Sequence, residues 1–213
     1  MPDFLPHTKL ILEQLPDHFH MNTDTVLLGE FLRVRHQDVL LDIGTSSGAL
    51  LLYAGLQKPK KMMGVDLHAD LLECARRNLV QNGMEAQLFC MPVQQLQVEP
   101  VDVIVCNPPY FVPATMKKRN TKIASARHMD TLSMEELFCC VKRLLKDNGH
   151  FFMIGRPSHL SAIVYQAQAA ACKLIRLQSV YETEQTSAKA ILMEFQKGRG
   201  RELEILPPKF LHR

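Results

Sequence analysis

The sequence has no apolar run long enough to cross a bilayer, which removes a transmembrane helix from consideration. Its opening residues, MPDFLPHTKLILEQLPDHF, lack the charged-then-apolar layout of a secretory signal, so a cytoplasmic location is expected. Cys74, Cys90, Cys106, Cys139, Cys140 and Cys172 form no C-x-x-C pair, and most sit in apolar stretches. They read as reduced thiols acting as small hydrophobes. His18 and His20 flank Phe19 without a companion set at ligand spacing, so no metal is expected. There is also no internal repeat, low-complexity tract or long linker, which removes repeat architectures.

What is present is a 213-residue chain, 46% hydrophobic and 22% charged, which suits one domain with one sizeable core. Residues 1–37 read as an N-terminal cap segment, 38–196 as the core and 197–213 as a tail. A monomer or weak dimer is expected. The net charge of +3 says little by itself, but its distribution is uneven. KKRNTK (117–122) and KGRGR (197–201) concentrate charge in Asn- or Gly-containing segments. Such clusters are either solvated loops or a phosphate-contacting edge.

From residue 38 short apolar runs alternate with helical patterns. Strands are expected over 38–44, 61–66, 86–90, 101–106, 150–155, 174–182 and 188–196. Helices are expected over 23–34, capped by Thr23, and over 47–56, 69–83, 133–149 and 158–172. Ser133 and Glu136 have capping-box spacing, and Gly149 is the expected stop of that helix. Alternation of this kind gives a mostly parallel sheet with helices on both faces, with an antiparallel strand at one side formed by the last two runs. Right-handed crossovers then gather the strand C-terminal ends on one rim, where open α/β sheets bind ligands. The helix over 23–34 is placed to cover that rim.

Two motifs fall on the rim. LLDIGTSSGALL (40–51) puts Gly44 and Gly48 between a strand and a helix, where a backbone can come close to a ligand. The spacing differs from G-x-G-x-x-G, and Asp42 beside the turn would repel a pyrophosphate while favouring a cationic group. Asp66, about 20 residues on at the next strand's end, can accept both hydroxyls of a ribose. The second motif ends VDVIVCNPPYFVP (101–113). Pro108 and Pro109 cannot extend a central strand. Asn107 offers a side-chain oxygen, Pro108 a carbonyl and Tyr110 a ring, a set suited to a flat, amine-bearing group.

DIGTSSG followed by VD at the next strand's end resembles the S-adenosylmethionine site of class I methyltransferases. That resemblance implies a Rossmann-like, seven-stranded sheet with its last strand antiparallel. The family's usual middle glycine is Ser46 here, and the acidic residue many members carry after the third strand is replaced by CMPV (90–93). Asn107-Pro108-Pro109-Tyr110 resembles the N-P-P-Y motif of methyltransferases acting on planar amine or amide nitrogens: adenine N6, cytosine N4, guanine N2 or glutamine. NTDTVLLGEF (22–31), ASARHMDTLSMEELF (124–138) and GRGRELEILPP (198–208) are similar to the bacterial tRNA(Val) adenine-N6 methyltransferase family, which modifies adenine 37.

The resemblance implies that Asn107, Pro108, Pro109 and Tyr110 hold the target base. Asp42, Gly44, Ser46, Gly48, Asp66 and Leu67 would hold the cofactor, with Met91 and Val93 beside its adenine. Asn107, Thr23 and Asp24 would sit near it. Arg127 and His128 would lie on the substrate side, and Lys117, Lys118, Arg119, Lys122, Lys197, Arg199 and Arg201 would contact tRNA. The competing expectations are action on another planar nitrogen (guanine N2 of rRNA, adenine N6 of DNA or a protein glutamine) or a non-catalytic RNA- or partner-binding relative.

Overall fold

The computed structural model describes residues 3–16, 18, 20–108 and 132–212. A two-stranded antiparallel ladder, β1 (Asp3–Phe4) and β2 (Ile11–Leu12), precedes α1 (Thr23–Phe31). Then follow β3 (Val39–Ile43), α2 (Ala49–Gly55), β4 (Lys61–Asp66), α3 (Ala69–Gln81), β5 (Gln87–Cys90) and β6 (Val101–Cys106). The chain continues through α4 (Met134–Leu144), β7 (Leu145–Gly155), α5 (Leu160–Ala169), β8 (Cys172–Tyr181) and β9 (Ala188–Lys197). It ends in β10 (Glu204–Ile205) and β11 (Lys209–Phe210).

The sheet order is β8-β9-β7-β6-β3-β4-β5, with β10 and β11 both pairing β8. Among the described residues this is a Rossmann-like, mostly parallel sheet with nine strands rather than the expected seven. The tail supplies the two extra strands, which cover part of an edge that β8 would otherwise expose. Each is only two residues long, too short for alternation to reveal, and Pro207 and Pro208 separate them. The last two long runs form the expected antiparallel pair at one side of the sheet: β9 is antiparallel to both β8 and β7 and lies between them.

Period-two alternation sorts the strand residues between two cores. Leu41, Ile43, Met63, Val65, Ile104, Phe151 and Met193 pack with α4 and α5. Leu40, Met62, Val103, Val105, Phe152, Ile154 and Leu192 pack with α1 and α2. Among the described residues no helix is long and apolar enough to cross a membrane.

Several helix boundaries differ from expectation, and three of them have a visible physical reason. The capping box at Ser133 and Glu136 is present in both halves, but α4 stops at Leu144, well before Gly149. Lys197, at the far end of β9, donates to the carbonyls of Lys142 at 2.9 Å and Leu145 at 2.8 Å, ending the helix from across the sheet. Lys146 to Gly149 instead form an irregular start to β7, where the register with β6 shifts and Asn148 takes a φ of 64°. The next helix ends at Ala169, because Ala171 adopts a left-handed φ of 56° and releases Cys172 into β8. Finally, α1 is capped by Asn22, whose side chain accepts from the Thr25 main-chain nitrogen; Thr23 is its first residue.

Long-range polar contacts fix α1 over the sheet. Arg176, 2% exposed on β8, donates to the Phe31 carbonyl at 2.9 Å and lies over the Phe31 ring at 3.9 Å. Its charge is met by the buried carboxylate of Glu194, which also bonds His150 at 2.7 Å.

Candidate active site

The glycine turn joins β3 to α2. Gly44 and Thr45 donate their main-chain nitrogens to the Val65 carbonyl at 2.9 and 3.2 Å, so the turn is tied to the neighbouring strand. Gly44 and Gly48 have φ of 77° and 85°, conformations glycine adopts without cost. Ser46, between them, also has a positive φ, 48°, and its side chain carries a penalty of about 1 kcal/mol there. Its main-chain nitrogen donates to Asp66 Oδ2 at 2.8 Å, and His68 donates to Asp66 Oδ1 at 3.1 Å. Asp66 therefore stands at the end of β4 as a brace between the turn and the loop that follows. From the other side Asn78, fully buried on α3, donates to the Ser47 carbonyl at 2.9 Å.

Asp42 is the exceptional group. It is 0% exposed, and among the described residues neither carboxylate oxygen has a hydrogen-bond partner. The Thr45 hydroxyl beside it donates to the Asp42 main-chain carbonyl instead. Burial, with the Asp66 charge nearby, pushes the Asp42 carboxyl up to about 8. A buried carboxyl without a partner is costly to ionise until a cation arrives. The residues present thus fit a ligand with a cationic end at the turn and hydroxyls within reach of Asp66.

β3 and β6 are neighbours, with Ile43 opposite Cys106, so Gly44 and Asn107 leave the sheet side by side. Asn107 Nδ2 donates to Thr25 Oγ1 at 3.0 Å. That contact brings the start of α1 over the rim. Asp24, 6% exposed, stands 3.8 Å from Arg156 Nη2, which follows β7. Burial raises the Asp24 carboxyl against the pull of Arg156 and Lys189. Pro108 is buried next to Asn107.

A family model described as methyltransferase small domain matches residues 17–182. The chain belongs to that family. The tRNA1(Val) (adenine(37)-N6)-methyltransferase of Dyadobacter fermentans is 30% identical to this methyltransferase over 190 residues, covering 87% of this chain and 79% of that one. The protein of the same name from Vibrio campbellii is 29% identical over 181 residues, covering 83% and 75%. Among solved structures, a ribosomal protein L11 methylase from Lactobacillus delbrueckii subsp. bulgaricus matches with a TM-score of 0.64 at 16% identity, covering 92% of this chain and 91% of that one. A methyltransferase from Pyrococcus furiosus matches with a TM-score of 0.63 at 17% identity, covering 89% of each. These two likenesses concern the fold.

The other residues singled out in the methyltransferase sequence divide into three groups. Leu67, 38% exposed, and Met91 lie just past the ends of β4 and β5, and the Met91 nitrogen donates to the Asp66 carbonyl at 3.0 Å. Val93 is buried against the core behind them. Thr23 is exposed at the rim. Pro109, Tyr110, Lys117, Lys118, Arg119, Lys122, Arg127 and His128 lie outside the described residues.

The tail cations are elsewhere. Lys197 is engaged at the end of α4, as above. Arg201 lines a cavity with Asp38, Asp102 and His150, at the N-terminal ends of the parallel strands, and Arg199 is exposed two residues before it. That rim is opposite the glycine turn, separated by about 17 Å of strand from His150 to Gly155. The fold therefore does not bring the tail cations together with Asn107 and the turn.

Sequence reasoning passed over Thr25, Asn78 and Arg156. Nothing in their local pattern marks them, because each acts on a residue far away in the chain. Asn22 was legible: asparagine is among the strongest N-cap residues, and it precedes the helical pattern directly.

Proposed function

We propose that this methyltransferase transfers the methyl group of S-adenosylmethionine to the exocyclic N6 amine of an adenine in tRNA, adenine 37 of a valine tRNA in particular. The observation that carries the reading is Asn107 at the end of β6 beside the glycine turn, its amide nitrogen engaged by Thr25 Oγ1. The names of the relatives supply the choice of tRNA.

When bound, S-adenosylmethionine would supply a methyl group on an electrophilic sulfonium. Asp42 would take the cofactor's cationic end and Asp66 its ribose hydroxyls. Gly44, Ser46 and Gly48 would give close backbone approach, and Leu67 and Met91 an apolar wall for adenine, with Val93 packed in the core behind them. Residues 1–37 would form a cap, with Thr23 and Asp24 closing the rim above the 38–196 core. At the substrate, the Asn107 oxygen and the Pro108 carbonyl would accept both amine hydrogens. Drawn out of the ring plane, the nitrogen recovers the lone pair it otherwise shares with the base. The same acceptors oppose the positive charge that grows on nitrogen in the transition state. Tyr110 would stack on the extruded base, worth about 1–3 kcal/mol. Lys117, Lys118, Arg119, Lys122, Arg127 and His128 would hold the RNA around it.

Nucleoside mass spectrometry after reaction of total tRNA with labelled cofactor tests the reading. Label in N6-methyladenosine is the expected result. Label in another nucleoside or in protein would replace the substrate, and no cofactor binding at millimolar concentration would point to a non-catalytic binding protein.

A further inference from the structure

An asparagine amide has two ends, and only one accepts. Turned over, Asn107 would present its NH₂ to the incoming amine, donor against donor. The Asn107 nitrogen is held by Thr25 Oγ1 at 3.0 Å, 82 residues away in the chain. A hydroxyl both donates and accepts, so Thr25 by itself would tolerate either orientation.

Asn22 removes the ambiguity. Its Oδ1 accepts from the Thr25 main-chain nitrogen at 3.1 Å, a group that can only donate. The same oxygen faces the Thr25 hydroxyl at 3.4 Å and is the acceptor for its proton. With that proton directed to Asn22, a lone pair of Oγ1 is left for Asn107, which must meet it with its NH₂. Polarity thus passes from a backbone N–H, through Asn22 and Thr25, to the amide of Asn107.

We propose that Thr25, set by Asn22, is a positioning residue that fixes the Asn107 amide with its oxygen toward the substrate amine. The proposal rests on the adenine-N6 reading for its kinetic consequence but not for the hydrogen bond itself.

The test compares Thr25→Val, which keeps the shape and loses the acceptor, with Thr25→Ser, which keeps the hydroxyl. Thr25→Val lowers kcat about tenfold, the worth of one hydrogen bond felt in the transition state. The tRNA KM and the cofactor Kd stay within about twofold, because neither ligand loses a ground-state contact. Thr25→Ser restores most of the rate. A folded Thr25→Val enzyme with the wild-type kcat, or a Ser variant as slow as Val, overturns the proposal.

A second measurement needs no substrate. The Asn107 side-chain amide signal, identified by its loss in isotope-labelled Asn107→Ala, exchanges slowly with water in the wild type and in Thr25→Ser, and fast in Thr25→Val. Wild-type exchange as fast as that of a free asparagine overturns the proposal even if Thr25→Val does not fold. If the wild type labels something other than adenine, the proposed function fails while this exchange measurement still decides the role of Thr25.

Discussion

Replacing Asp42 by asparagine exposes the energetics of the orphaned carboxyl. In the unfolded chain Asp42 ionises at the ordinary 3.8, whereas burial and Asp66 hold it up to about 8 in the folded protein. Folding therefore takes up a proton between those values. The stability associated with this group is fully present below about 4 and is lost as pH rises through 8, at no more than about 1.4 kcal/mol per pH unit. The whole span has a ceiling of about 6 kcal/mol, which relaxation and water penetration reduce to a few. Asp42→Asn mimics the neutral acid and cannot ionise, so its stability lacks this dependence. Calorimetry without cofactor at pH 6, 7 and 8 should show the wild type losing about 1–2 kcal/mol more than Asp42→Asn over that range, or roughly 2–8 °C in Tm. Groups that titrate in both proteins cancel in the difference. S-adenosylmethionine should reverse the order at pH 8, stabilising the wild type more than the variant, because the ionised carboxyl then has its cation. Parallel stability curves without cofactor would refute the reasoning, since Asp42 would then have to be ionised throughout.

Four further outcomes are expected. Asn107→Ala should lower turnover at least about a hundredfold, corresponding to roughly 3 kcal/mol of transition-state stabilisation, with cofactor Kd by calorimetry nearly unchanged; a variant retaining a third of the rate would remove Asn107 from the reaction. Ser46→Gly should raise Tm by about 2–4 °C by relieving the left-handed serine, and an unchanged Tm would mean that the turn carries no strain there. Glu194→Ala should cost about 3–5 kcal/mol in denaturant unfolding, because Arg176 is left buried and unpaired; a loss under about 1 kcal/mol would show that water reaches the guanidinium. Replacing Lys117, Lys118, Arg119 and Lys122 by Ser should flatten the salt dependence of tRNA binding by about 0.7–0.9 per lost phosphate contact, while Arg199→Ser with Arg201→Ser should change it less, and the opposite ranking would move the RNA to the other rim.

The alternation of strand and helix was readable because each element carries its own period. β4 and β6 fall where expected, at Lys61–Asp66 and Val101–Cys106, since apolar runs bounded by turn residues define them locally. The capping box at Ser133 and Glu136 is equally local, three residues apart. The end of α4 was not readable, because the amine that terminates it comes from Lys197 on another strand. The two tail strands were hidden by their length, whereas the antiparallel pair of β8 and β9 was readable from the short polar connection between them.

The site divides along the same line. By itself the sequence determined that Asp42, Gly44, Asp66 and Asn107 stand at strand ends, because strand period and parallel topology put all such ends on one rim. Only the tertiary structure decided that Asp42 has no partner among the described residues, that Ser46 takes a glycine's conformation, and that Arg201 lies on the far rim. It also decided that the Asn107 amide nitrogen meets Thr25, 82 residues away in the chain. Each of these depends on what one residue meets across the fold, and burial and hydrogen-bond polarity have no period along a chain.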